Sequence, residues 1–227
     1  MLSTRTKTFN LKLLPEVELI ETSENGKRFY KTPSGEKYPS VTTVLGSVMD
    51  KTKLFEWQAR VGKETANKIK TRATNRVTKL HKVCEKYVLN EENFLDNNSP
   101  LTADLFKQVK PFIDKNVGDV YGIELPLYSD FLRTAGRCDM FCNLSGKNAI
   151  VDYKTSTKPK KEEWIKSYFL QLTTYGMMIE ERYNINVPYI VVIIAVEDGE
   201  PQIFPKKTDE FKDEVTTIFR NFSKELL

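Results

Sequence analysis

Residues 147–155 run from a Lys-Asn turn through the apolar Ala149, Ile150 and Val151 into Asp152, Tyr153, Lys154 and Thr155. An apolar run with an alternating, charged end reads as a strand that leaves the core at a cleft. Side chains two apart on a strand share a face, so Asp152 and Lys154 project together and Tyr153 points the other way. A second segment, Gly136-Arg137-Cys138-Asp139, precedes it. A hairpin through residues 143–148 lays the two strands antiparallel and brings the Asp139 carboxylate near Asp152. The chain is thereby confined to folds in which a β-hairpin presents two acids and an ammonium to one cleft.

The flanking segments alternate helix and strand. Short strands and turns are expected over residues 1–39, with Glu24-Asn25-Gly26-Lys27 and Pro33-Ser34-Gly35 as breakers. Ser40 caps a helix to Val48, and further helices are expected over about 52–60, 63–89 and 102–116. Strands near 120–128, 133–143 and 147–155 follow. Then come a helix from Glu162 to Tyr183, a buried strand over 188–196, a short strand near Ile203 and a helix from Asp209. The longest strongly apolar run, Ile190 to Val196, is seven residues, far short of a membrane span. A chain of 227 residues can bury one sizeable core. One domain over 1–227 is expected, with strands and a basic helical lobe over 1–118 and the core over 119–227.

Two carboxylates beside an ammonium suit a hard divalent cation, which takes carboxylates, backbone carbonyls, water and phosphate oxygens. Such a cation polarises a scissile phosphate and lowers the pKa of a bound water, while Lys154 orients that water or offsets developing charge. The chemistry implied is metal-dependent phosphodiester hydrolysis. The alternative is a pair of solvated acids at strand ends, with Lys154 in a weak exposed ion pair.

His81, the one histidine of the chain, lies on the 63–89 helix beside a stripe of Ile69, Ala73, Val77, Leu80, Cys84 and Val88. Glu85, four residues on, shares its face and is placed to orient the imidazole. From position alone, a half-buried structural histidine is the simpler reading. Gln171 and Tyr175 are likewise four apart and face one direction, with Ile165, Phe169, Leu172, Gly176 and Ile179 as the packing face.

Charge distribution adds a candidate nucleic-acid surface. Residues 51–86 hold eleven Lys or Arg against three acids, a basic helical wall leading to His81. An ordinary solvated helix face is the alternative. Phe55 and Trp57, interleaved there, are placed either to stack on unpaired bases or to be buried. Lys158, Lys160 and Lys161 form a second candidate phosphate contact on the loop after the Asp152 strand.

Six segments occur in a fixed order over residues 36–197. They are Tyr38 to Leu45, Arg76-Val77-Thr78-Lys79-Leu80-His81, Glu124-Leu125-Pro126, Gly136 to Asp139, Asp152 to Ser156, and Gln171-Leu172-Thr173-Thr174-Tyr175. In that order the chain resembles the RecB-like exonucleases of the PD-(D/E)XK superfamily, in particular the mitochondrial genome maintenance exonucleases and their phage relatives. The resemblance implies an α/β, restriction-endonuclease-like core: a central mixed β-sheet flanked by helices, with an N-terminal helical lobe. It implies His81, Asp139, Asp152 and Tyr153 as the metal set and Lys154 as the catalytic lysine. Gln171 and Tyr175 match a Q-x-x-x-Y motif that approaches the active site and the nucleic-acid backbone, and Glu124 matches an auxiliary acid. Val77 stands where related sequences carry Gly, so the turn before His81 is expected to pack differently.

The resemblance further implies Mg²⁺, with Mn²⁺ as a substitute, and a DNA exonuclease that prefers single-stranded ends in replication, recombination or repair. Its partners would be DNA and replication or recombination proteins, with no membrane. Cys84, Cys138 and Cys142 fall short of four thiolates, so no iron–sulfur cluster is expected. A net charge of +4 is too small to diagnose a nucleic-acid binder by itself. Unpaired cysteine spacing and the lack of a secretory apolar region point to a reducing, cytoplasmic setting, including a host cell if phage-encoded, rather than a mitochondrial one. A structure-specific endonuclease and a non-catalytic single-stranded nucleic-acid-binding module stay open as alternatives. The chain carries no Gly-rich phosphate loop, which argues against a nucleotide-driven motor.

Overall fold

A computed structural model of the chain describes residues 5–225. The elements in order are β1 (Asn10–Leu11), β2 (Ile20–Glu24), β3 (Lys27–Lys31), β4 (Lys37–Pro39), α1 (Val41–Val48), α2 (Thr52–Val61), α3 (Lys63–Val88) and α4 (Pro100–Asn116). There follow β5 (Val117–Ser129), β6 (Thr134–Leu144), β7 (Lys147–Ser156), α5 (Lys166–Tyr183), β8 (Tyr189–Val196), β9 (Gln202–Lys207) and α6 (Lys212–Glu225).

The expected hairpin forms the middle of the main sheet. Ser145 and Gly146, at φ 50° and 88°, make the left-handed two-residue turn that matches strand twist, and Asn143 pairs with Asn148. The six strands lie in the order β1-β5-β6-β7-β8-β9. β7 and β8 run parallel through the α5 crossover, whereas β5, β6 and β7 are antiparallel, so the sheet is mixed. β8 is apolar throughout because both its faces are covered. Val191, Ile193 and Ala195 pack towards α3 and α4, and Ile190, Val192 and Ile194 towards α1, α5 and α6.

Local signals fix most boundaries. The Ser40 hydroxyl accepts the Thr43 N–H at 3.1 Å and starts α1. Gly62, at φ 83°, separates α2 from α3. A single 3-10 turn at Glu162–Trp164 ends on the buried Ile165, so the helix expected from Glu162 begins at Lys166 instead. In α3 the apolar stripe buries Leu80, Cys84 and Val88, but Ile69 is exposed, and Ala66 is the buried residue of the first four turns. That half of the helix carries too few apolar groups among its charges to join the core.

The small antiparallel sheet β2-β3-β4 docks on the end of β5 and β6. Tyr30 and Tyr38 pack with Tyr128 and Ala135, and the Thr134 hydroxyl donates to the Pro39 carbonyl at 2.8 Å. All three cysteines are free, buried thiols. Among the described residues, no helix is long and apolar enough to cross a membrane.

Candidate active site

Strand alternation breaks where the acids sit. Cys138 packs with the α5 side and Met140 with the α3 side, although they are two apart on β6; Leu125 and Ile123 do the same on the paired strand β5. Between them lie Asp139 and Glu124, and Glu124 adopts φ 47°, a left-handed conformation that non-glycine residues rarely take. The local reversal turns both carboxylates out of the sheet towards α3.

There they meet His81. Among the described residues, His81, Glu124 and Asp139 form a group whose ligand atoms all lie within 4.8 Å of one another. The His81 Nδ1 is 3.5 Å from the Asp139 carboxylate, and its Nε2 touches the Tyr153 carbonyl. A carbonyl only accepts, so Nε2 carries a proton and donates to it, which leaves Nδ1 facing the carboxylates. The Tyr153 N–H donates to Asp139 Oδ2 at 2.9 Å, so the Tyr153 backbone holds both neighbours while its side chain packs into the core on the α3 side. Glu85 lines the same small cavity beside His81.

Asp152 and Lys154 form a second, adjoining unit. Lys154 Nζ donates to Asp152 Oδ1 at 2.6 Å and sits 5.1 Å from the centre of the Tyr168 ring. It is also 2.5 Å from Oδ2, but not in hydrogen-bond alignment, and that buried oxygen has no donor. Burial pushes the Asp152 carboxyl up, opposed by Lys154 and reinforced by Asp139. Burial likewise works against the Lys154 ammonium, but the charges of Asp152 and Asp139 outweigh it and leave its pKa raised. Lys154 is therefore charged at neutral pH.

Gln171 and Tyr175 approach from α5. The Gln171 amide donates to the Tyr175 hydroxyl at 3.4 Å, and Tyr175 is buried against Gly136. A Cβ at Gly136 would lie 2.9 Å from the Tyr175 ring, so the glycine of the Gly136 to Asp139 segment is what admits the tyrosine. These groups line a cleft of about 210 Å³ together with His81, Glu124 and Asp139. Arg28 and Tyr30 of the small sheet also line it, and nothing in the sequence pattern singles them out. Tyr168 carries a readable signal that sequence reasoning passed over, since it lies three residues before Gln171 on the same helix face.

Two expectations for the basic wall change. Arg76 is not free for phosphate: it pairs with Glu197 and its Nε donates to the Thr155 hydroxyl at 3.0 Å, clamping α3 to the ends of β7 and β8. Of the two interleaved rings, Phe55 is exposed and Trp57 half-buried, so Phe55 is the one presented to solvent. Lys158, Lys160 and Lys161 are exposed, and Lys161 lies over the Trp164 ring.

The donor set fits a hard divalent cation: two clustered carboxylates, the Nδ1 of the imidazole and an Asp152 oxygen without a hydrogen-bond donor, whereas the Tyr153 carbonyl is taken up by Nε2 on the far side of the His81 ring. Burial, with the Asp139 charge adding to it, pushes the Glu124 carboxyl up to about 6. Between its ordinary value and 6 the folded state binds the extra proton, so stability falls as pH rises through that window. At neutral pH the ionised Glu124 is destabilising without a cation. Glu124→Gln is therefore expected to raise the Tm measured in chelator, a gain that shrinks when Mg²⁺ is added.

Comparison with known proteins places this arrangement. The model of the PD-(D/E)XK nuclease superfamily matches residues 27–226. The chain belongs to the PD-(D/E)XK nuclease superfamily. Asp152, Tyr153 and Lys154 spell the D-X-K of that name. The chain is 26% identical over 175 residues to mitochondrial genome maintenance exonuclease 1 of Homo sapiens, covering 72% of this chain and 50% of that protein. For the Mus musculus protein of the same name the identity is 23% over 175 residues, covering 72% and 51%. The chain thus spans about half the length of the curated relatives it matches. A solved structure from Eubacterium rectale covers 66% of each chain at a TM-score of 0.45 and 15% identity. Superfamily membership and similarity to exonucleases support a nuclease activity, and the mixed sheet flanked by helices is the superfamily's fold.

Proposed function

We propose that the protein is a metal-dependent DNA exonuclease that hydrolyses phosphodiester bonds from single-stranded ends, with Mg²⁺ as its ion and Mn²⁺ as a substitute. The observation that carries this reading is the buried Asp152–Lys154 pair set against the cluster of His81, Glu124 and Asp139. A divalent cation held by Asp139, Asp152, His81 and Glu124 would neutralise the carboxylates and polarise the scissile phosphate. Lys154, fixed by Asp152 and the Tyr168 ring, directs a positive charge at the oxygens where negative charge develops. The Tyr153 backbone holds the His81 ring and the Asp139 carboxylate in register. Tyr175 and Gln171 wall the cleft and orient the strand's backbone.

The small volume of the cleft, about 210 Å³ and lined on one side by the small sheet and α1, supports an unpaired strand as substrate. Similarity to exonucleases supports action from an end. The test offers end-labelled linear single-stranded DNA, a closed circular single strand and linear duplex with Mg²⁺, with Mn²⁺ or with chelator. Cleavage is expected for the linear single strand alone, lost in chelator and kept with Mn²⁺. Cutting of the circle would make the protein an endonuclease, and no cutting at all would make it a binding module.

A further inference from the structure

The carboxylate-lined cleft does not end at the acids. Arg28, Glu21 and Thr42 line it, and they also line a second cavity of about 500 Å³ between the β2–β3 hairpin and α1. The second cavity therefore adjoins the cleft as an outer groove, with Arg28 at the border between them. Lys27 and Lys51 add two further cations to the outer part, while Glu21 is the one acid among the described residues lining it. Glu21 is already engaged: Arg28 Nε lies 3.3 Å from its Oε1, and the Tyr30 hydroxyl donates to Oε2 at 3.3 Å.

The groove is preformed. Asn25 and Gly26, at φ 51° and 72°, make a tight left-handed turn that presents Lys27. The Ser40 N–H donates to the Arg28 carbonyl at 2.9 Å, tying the hairpin to the head of α1. The lining of this outer groove is hydroxyl, glycine and charge, and no aromatic ring is among the described residues that form it. Such a wall suits a sequence of phosphates and offers bases no ring to stack on.

We infer that the groove between the β2–β3 hairpin and α1 binds the backbone phosphates of the strand beyond the scissile bond, with Arg28 at the junction and Lys27 and Lys51 as outer contacts. This rests on the reading that the adjoining acids cleave a nucleic-acid strand. It adds a length requirement, because only a strand that extends past the acids reaches both lysines.

The test measures affinity for a labelled oligothymidylate at several salt concentrations, in the full chain carrying Lys154→Ala so that the strand survives. Adding Lys27→Ala and Lys51→Ala should flatten the slope of log affinity against log salt by about 1.4, since each phosphate of a single strand that goes unneutralised removes about 0.7. A control pair, Lys147→Ala with Lys224→Ala, removes the same charge from the start of β7 and from α6 and should leave the slope unchanged. Equal flattening by both pairs, no flattening by the groove pair, or no binding to flatten would each overturn the groove. Wild-type cleavage is measured alongside. Failure to cleave with a selective slope change sinks the nuclease reading and leaves the groove, whereas cleavage without the slope change does the reverse.

Discussion

Lys154→Ala is expected to lower the single-turnover cleavage rate by about 10²–10³-fold while leaving affinity for single-stranded DNA nearly unchanged. The size follows from position. The ammonium is buried, bonded to Asp152 Oδ1 at 2.6 Å and backed by the Tyr168 ring, so its charge is fixed before substrate arrives. A preorganised charge in a desolvated site acts on the transition state without reorganisation, and alanine removes it without removing a metal ligand. A second effect has a definite sign. Asp152 loses the partner that opposes its burial, so its carboxyl rises further and takes up a proton nearer neutral pH. The residual rate of the variant should therefore climb with pH more steeply than that of the wild type. Rate profiles against pH, with affinity measured by anisotropy, check both parts; unchanged turnover would remove Lys154 from the site.

The fold was legible because its signals are local. An apolar run with an alternating, charged end marks β7, a continuous apolar run marks β8, Ser40 caps α1, and Ser145-Gly146 closes the hairpin that carries Asp139 to Asp152. The expectation that Asp152 and Lys154 share a face follows from strand geometry alone and matches their contact. What could not be read are arrangements that break local rules or depend on distant partners. Glu124 looks like an ordinary strand residue in the sequence, and only its left-handed backbone turns it to Asp139 and His81. Arg76 looks like one more cation on a basic helix until Glu197, over a hundred residues later, meets it. Arg28 sits in a hairpin with no periodic signal linking it to α5. In each case the deciding contact is tertiary, and no window of sequence contains both partners.

Asp152→Asn should lose metal affinity and cleavage together, the first by more than about tenfold and the second by about 10³-fold or more. It should also raise the Tm in chelator, as Glu124→Gln does, because the carboxyls of both acids are pushed above their ordinary range and the folded state favours each uncharged. The two acids adjoin, yet they differ in what faces them. Asp152 has a fixed buried countercharge in Lys154, which opposes its rise without cancelling it, whereas Glu124 faces Asp139 and an imidazole. Neutralising Glu124 relieves its burial and its repulsion with Asp139. Neutralising Asp152 relieves the same two penalties but takes from Lys154 its nearest countercharge, which the Asp139 charge in part replaces. Thermal melts of both variants in chelator, followed by Mg²⁺ titration, decide the matter. A fall in Tm for Asp152→Asn would mean that the pair with Lys154 outweighs burial and that the Asp152 carboxyl lies below its ordinary range.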